Sequence, residues 1–225
     1  MPPTRSTETA ATTRARRRRA DAERSIAVIL DAAVEALASD SEASMAEIAR
    51  RAGVVRATIY VHFPTREALL EAVTQRSIAE AVEGIAAAEP QRGDPAEALQ
   101  RVLIAAWRHL ERYQALVAIN TQLPPAELRR RHRPVLALLQ PLIERGQRTG
   151  AFRADLPAQW HLSMLLALIH AASGELQAKR LPASKIESAL LATALGALDA
   201  TPPTTAKNDQ ISQARPGSSS QRPNR

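Results

Sequence analysis

Cysteine is absent from the 225-residue chain, and aromatic residues are scarce, with two Trp, two Tyr and two Phe. Without thiols there can be no disulfide framework, thiolate zinc site, iron–sulfur cluster or cysteine nucleophile, and a reducing compartment is expected. So few aromatic rings leave little material for a base-stacking surface that grips RNA or single strands. Missing too are a G-x-S-x-G elbow, a P-loop, a Gly-rich nucleotide turn, an HExxH pair and any obvious pair of carboxylates. No enzyme, cofactor or metal site is therefore expected. The longest uncharged apolar run near the start, Ile26 to Leu30, is too short for a signal-peptide core and far from the ~20 residues of a spanning helix. The expectation is a soluble, cytoplasmic protein.

The formal charge of +7 belongs to the ends of the chain. Residues 1–24 hold seven Arg against three acids, residues 201–225 hold four basic residues against one acid, and residues 25–200 balance. Attraction to nucleic acid must then come from a tail or from a local patch. Both ends lack apolar periodicity and are expected to be disordered, residues 1–22 as a basic arm and residues 201–225 as a Pro- and Ser-rich tail.

Between them, apolar residues recur at helical spacing, as in Ile26, Ile29, Leu30, Ala33, Leu37 and again from Leu99 through Leu103, Leu110 and Val117. No alternating run bounded by hairpin turns occurs, so the expected fold is all-α. Polar, Gly and Pro clusters place breaks at Asp40 to Ala43, Pro64, Glu89 to Pro95, Leu123 to Pro125, Gly146 to Pro157 and Leu181 to Pro182. Pro134 and Pro141 fall within the otherwise helical stretch Glu127 to Arg148 and predict a kink, either a surface bend or one that opens a cavity.

The stretch Ser44 to Phe63, SMAEIARRAGVVRATIYVHF, is the most informative. Ser44 and Glu47 have the spacing of a capping box, which predicts a helix from Met45. Gly53 supplies the left-handed backbone of a tight turn, and Ala49, Gly53 and Ile59 place a small contact residue, a permissive turn residue and a core anchor as a helix-turn-helix requires. A second helix, roughly Val55 to His62, then turns Val54 and Ile59 inward and leaves Arg56, Ala57, Thr58 and Tyr60 outward or at the rim. No acid occurs from Ile48 through Arg66, whereas Arg50, Arg51, Arg56 and Arg66 make a patch that attracts phosphate. Thr65 caps the next helix, whose opening N–H groups together with Arg66 suit a DNA phosphate.

These residues resemble the DNA-binding signature of TetR/AcrR-type transcriptional regulators: ILDAAVEAL at Ile29 to Leu37, EIARRAG at Glu47 to Gly53, and ATIYVHFPTREALLEAV at Ala57 to Val73. The resemblance implies three N-terminal helices for DNA, a fourth connecting helix, and a larger helical domain that binds an effector and dimerises through its last two helices. By that matching, the DNA-binding domain covers residues 23–88 and the effector and dimerisation domain residues 89–200. Arg56 and Thr58 would read bases, while Tyr60, His62 and Arg66 would hold phosphates; Ser44 and Thr65 complete the candidate DNA-binding residues. Two positions depart from the family pattern. Val55 stands where Ser or Thr is usual, removing a cap and a phosphate hydroxyl, and Ala38 and Asp40 replace a Phe and a Gly at the end of the first helix.

The arginine run Arg14 to Arg19, above all Arg16, Arg17, Arg18 and Arg19, is either a solvated tail or an arm for the minor groove beside the recognition helix. In the second domain Trp107, Tyr113 and Met164, with His109, Gln122 and His170 as scarce polar groups, are the candidates for an effector pocket; they point to a hydrophobic or weakly polar ligand. The histidines themselves, at 109, 132, 161 and 170, lack metal-ligand spacing and are expected to be exposed or hydrogen-bonded. Two apolar stripes, Leu165, Leu168, Ile169, Ala172 and Ile186, Leu190, Ala194, Leu198, are expected to form a four-helix dimer seam or else to cover the domain's own core. The reading is a homodimeric repressor that binds double-stranded operator DNA and is released by a small hydrophobic molecule. Its alternatives are a constitutive or architectural DNA-binding protein and a helical protein-interaction module.

Overall fold

The computed structural model describes residues 5–120 and 123–200, and within them every regular element is a helix. The N-terminal part contains α1 (Arg5–Ser39), α2 (Met45–Arg51), α3 (Arg56–His62) and α4 (Arg66–Ala87). The rest contains α5 (Pro95–Arg112), α6 (Gln114–Asn120), α7 (Pro125–Arg131), α8 (Arg133–Thr149), α9 (Ala158–Gln177) and α10 (Ala183–Leu198).

Local chemistry sets many of these boundaries. The Ser44 hydroxyl accepts from the Glu47 N–H at 3.2 Å, and the Thr65 hydroxyl from the Ala68 N–H at 3.1 Å. Asp94 accepts from Ala96 and Glu97 with Pro95 in the first turn of α5, a position where a missing N–H costs nothing. Gly150, at φ 76°, ends α8 in the left-handed conformation. Gly146 is not part of that break. It lies inside α8 with the Phe152 ring where a Cβ would sit, so its lack of a side chain makes room for the returning loop.

Ile29, Ala33, Ile48, Ile59 and Leu69 form the centre of the first core. Each large aliphatic side chain buried there contributes ~1.5–3 kcal/mol. A second core joins Leu99, Val102, Leu142, Ile143, Leu162 and Leu165 to Ala194 and Leu198, and a smaller one packs Trp107 against Leu110, Ala172, Ile186 and Leu190.

Three expectations are corrected by this arrangement. The basic arm is helical from Arg5 onward, continuous with α1; its Ala and Arg residues are strong helix formers and extend a helix already nucleated by the packed segment. Residues 1–4 and 201–225 lie outside the described residues. Second, the stripe from Leu99 to Val117 is two helices, because the chain bends at Tyr113 without any Pro or Gly. The Tyr113 side chain is 2% exposed and sits with Leu116 in the first core, among residues of α1 to α4, so tertiary packing overrides local periodicity. Third, the expected dimer stripes are internal. Leu165, Ala172, Ile186, Leu190, Ala194 and Leu198 are buried within one protomer, and Leu168 and Ile169 pack partly against the same cores. Of the two readings of those stripes, covering the domain's own core is the one the structure adopts.

Candidate nucleic-acid interface and effector cavity

The turn between α2 and α3 is closed by Gly53 at φ 66° and by the Val54 N–H donating to the Ala49 carbonyl at 3.0 Å. Ile59, fully buried, anchors α3 to the core, and Phe63 follows as its C-cap. The opposite face of α3 is exposed and consists of Arg56, Ala57, Tyr60 and Val61, with Thr58 and His62 half-buried at its rim. Arg56 lies with its guanidinium 5.6 Å from the centre of the Tyr60 ring, an arrangement that holds a long cation over one part of the surface. Val61 was not singled out in the sequence, yet at 77% exposure it is the most exposed large apolar residue here.

The neighbouring arginines are less free than the sequence implies. The Glu47 carboxylate does not close the capping box; it accepts from Arg50 at 2.7 and 2.9 Å and from Arg51 at 2.9 Å. Those hydrogen bonds pull Glu47 down to about 2. Arg66 turns inward, donating to the Ser41 carbonyl at 2.6 Å and bracing α4 against the loop before α2. Arg56 therefore remains the outward cation of the motif, with no ion-pair partner among the described residues. Ser44 and Thr65 use their oxygens to cap helices, and each hydroxyl hydrogen stays available to a phosphate.

Val55 occupies the N-cap of α3 with φ −70° and ψ 149°, makes no side-chain cap bond and is 71% exposed. It fills no gap in the core. Val55→Ser is thus expected to raise the thermal unfolding midpoint by supplying a missing cap, an effect of ~0.5–2 kcal/mol. It should also tighten DNA binding modestly through the new hydroxyl. A lowered midpoint with weaker binding would contradict the placement of the helix start.

Beyond the helix-turn-helix, α4, α5, α8 and α9, with α6 at one side, line a cavity of about 110 Å³ whose walls are mainly aliphatic side chains such as Ile85, Leu99, Leu103, Leu139 and Ile169. Of the residues expected in a pocket, His109 and His170 reach it. Trp107 does not: it points to the small core beside α10, one residue round the helix from Ala106, which lines the cavity. Tyr113 faces the first core and Met164 packs against the second core. Gln122 lies outside the described residues. Sequence reasoning missed Thr74, Ser77 and His132 as lining groups; polar residues on otherwise apolar helix faces were the available signal for the first two. His132 arrives at the break between α7 and α8, with Pro134 in the first turn of the second helix, so the predicted kink opens onto the cavity.

The histidines at 109, 132, 161 and 170 divide, the first, second and fourth of them lining the cavity. His109 Nε2 is 3.0 Å from the Ser77 hydroxyl, and His132 Nδ1 is 2.9 Å from the Leu128 carbonyl. His161 and His170 have both ring nitrogens buried with no hydrogen-bond partner, contrary to the expectation that all would be exposed or satisfied. Burial holds His109 and His132 below their ordinary value and lowers His170 to about 4, with the neighbouring His132 adding to the effect. The unfolded chain binds these protons near pH 6.5, while folded His170 resists them until about pH 4. Stability is therefore full above pH 6.5 and falls as the pH drops toward 4, by on the order of 2 kcal/mol from His170 after allowing for its partial exposure. Denaturant midpoints across that window should decline less steeply in His170→Leu.

One polar network connects the two halves. Tyr113 donates to Glu80 at 2.7 Å and stacks on His109 with ring centres 4.7 Å apart. Glu80 also accepts from Arg76 at 2.9 Å, and Arg76 reaches Asp31 of α1 at 2.6 Å. From His109 in the cavity wall, four successive contacts through Tyr113, Glu80 and Arg76 lead to Asp31 on the helix that supports the helix-turn-helix.

No helix among the described residues is long and apolar enough to cross a membrane. Among the same residues no cluster of three or more His, Asp or Glu could hold a metal ion.

Residues 29–73 match the model of bacterial regulatory proteins of the tetR family. The chain is 27% identical over 147 residues to the HTH-type transcriptional regulator NfxB of Pseudomonas aeruginosa, a match covering 63% of this chain and 77% of that protein. Among solved structures, the fatty acid degradation regulator FadR of Bacillus halodurans superposes with a TM-score of 0.65 at 21% identity, over 76% of this chain and 95% of that one. The TetR-like regulator LfrR of Mycobacterium smegmatis, solved in complex with proflavine, superposes with a TM-score of 0.61 at 24% identity, over 78% and 97%. FadR of Bacillus subtilis, solved in complex with stearoyl-CoA, gives a TM-score of 0.61 at 21% identity, over 76% and 98%. At these identities the structural likeness speaks to fold.

Proposed function

We propose that the chain is a TetR-type transcriptional regulator and acts as a homodimeric repressor released from its operator by a small, mainly apolar ligand bound in the α4–α5–α8–α9 cavity. The observation that carries this reading is Tyr113. It sits in the core of the DNA-binding half, while His109, on which it stacks, lines the cavity. A ligand that moves α5 must move Tyr113, and with it the supports of α1 and α4. Release is then a population shift: the ligand favours the conformer whose recognition helices are wrongly spaced, by its differential affinity for the two states.

The dimer proposed here uses the faces of α9 and α10 that the protomer leaves outward. Trp160, Ala167 and Ala171 on α9, and Ala189, Ala192 and Gly196 on α10, are exposed. Small residues let helices approach closely, and the same patch on both subunits suits a two-fold four-helix seam. Two α3 helices so paired address half-sites about 34 Å apart, or a multiple of it.

Arg16 to Arg19 are exposed on the helical extension of α1. A helix ~10–12 Å across does not enter a minor groove ~6 Å wide, so phosphate contact along the backbone is the role proposed for them in place of a minor-groove arm. Deleting residues 1–20 should leave folding intact and reduce the salt dependence of operator binding by ~0.9 in log–log slope per lost phosphate contact. An unchanged slope would return the run to solvent.

The test of the function is a gel shift with promoter fragments. Selective retardation against excess random DNA, reversed by metabolite extracts, supports the ligand-released repressor. Retardation that no extract reverses favours constitutive binding, and no selective retardation removes the DNA-binding reading.

A further inference from the structure

The cavity lining carries no Asp, Glu, Lys or Arg and no Phe, Tyr or Trp. Of its polar groups, Thr74 donates to the Leu70 carbonyl at 2.8 Å, Ser77 and His109 bond each other, and His132 is engaged with the Leu128 carbonyl. His170 differs. Both of its ring nitrogens are closed off from solvent and have no partner among the described residues, and its ring meets that of His132 edge-on, with centres 5.3 Å apart. A neutral imidazole offers one N–H donor and one bare nitrogen. Burial keeps all three cavity histidines in that neutral form.

We propose that the cavity selects an uncharged ligand with a compact apolar body and a single hydrogen-bonding oxygen, and that the His170 ring turns a nitrogen into the cavity to meet this oxygen. The proposal rests on the reading of the cavity as the effector site. An anion would enter without a cation to meet it, and a cation would find neither a carboxylate nor an aromatic face; either would give up its hydration unpaired. A hydroxyl can either donate to the bare nitrogen or accept from the N–H, so whichever of the two faces it, one buried group that is otherwise costly to leave unmade is satisfied. In size, 110 Å³ compares with apolar cavities of about 150 Å³ that take up benzene, which favours a ligand body of about one ring.

Calorimetric titration of the full-length protein at pH 7.5 with toluene, benzyl alcohol, benzylamine and benzoate holds the ring constant and varies only the substituent. Benzyl alcohol is expected to bind about tenfold more tightly than toluene and more tightly than either ion. His170→Leu should erase the advantage of the alcohol and leave toluene binding as tight or tighter, while His170→Gln, which keeps a donor and an acceptor, should retain part of the advantage. Benzoate or benzylamine binding as tightly as the alcohol, or an undiminished alcohol preference in His170→Leu, overturns the proposal while leaving the cavity a binding site. Failure of all four probes to bind, toluene included, overturns the effector-site reading together with it.

Discussion

Ala192→Glu is expected to yield a folded monomer that no longer holds operator DNA. Ala192 is exposed on α10 within one protomer, so the new carboxylate costs the protomer's own core nothing. In a two-fold seam the same residue faces its own copy or lies near it, and two carboxylates would be buried unpaired between close-packed helices, a defect of several kcal/mol. Loss of the second recognition helix then removes the advantage of binding two half-sites at once, ~10²–10⁴ in affinity. Light scattering should show the monomer mass with an unchanged helical spectrum. Leu190→Glu makes the contrast: Leu190 is 4% exposed, and that variant should fail to fold rather than fail to pair. An Ala192→Glu protein that stays dimeric would remove the outward α9–α10 faces from the interface.

Arg56→Ala should cost ~1–3 kcal/mol of discrimination between operator and random DNA, the scale of a lost bidentate base contact, with little change in affinity for random sequences. Thermal stability should be untouched, because the side chain is exposed and lies only over Tyr60. Thr58→Ala should relax selectivity as well, though its half-buried position shortens its reach. Tyr60→Phe, by contrast, should weaken binding to every sequence alike, since a phosphate contact positions the protein without reading bases. Competition binding against operator and scrambled duplex separates the two patterns. An equal loss on both duplexes in Arg56→Ala would reassign that residue to the backbone. The apolar pair Ala57 and Val61 on the same exposed face suits thymine methyl groups, which is the class of base expected opposite them.

The helix-turn-helix was legible because its signals are local. Ser44, Gly53, Pro64 and Thr65 act on backbone groups within a few residues, and the structure uses each at the position its chemistry suggests. Glu47 shows the limit of such reasoning: the capping spacing was present, but two arginines one turn on compete for the carboxylate and win it. What depends on distant partners was not readable. The bend at Tyr113 has no Pro or Gly and exists because that ring fits a core built from the other end of the chain. The stripes on α9 and α10 mark an apolar face but not the partner it meets; Leu165 and Leu198 prove to meet the second core within the same protomer. Likewise, His132 could be placed in the cavity only once the break between α7 and α8 was seen.

The central claim is that the paired α3 faces recognise one DNA sequence as a symmetric unit. Selection of full-length protein on a pool of random duplexes, followed by sequencing of the bound fraction, tests it without knowledge of the regulated genes. The account predicts an enriched inverted repeat whose half-site centres are about 34 Å apart or a multiple of it, with enrichment at the base pairs facing Arg56 relaxed in Arg56→Ala. A bound pool with no enriched sequence, or one unchanged in Arg56→Ala, would contradict it.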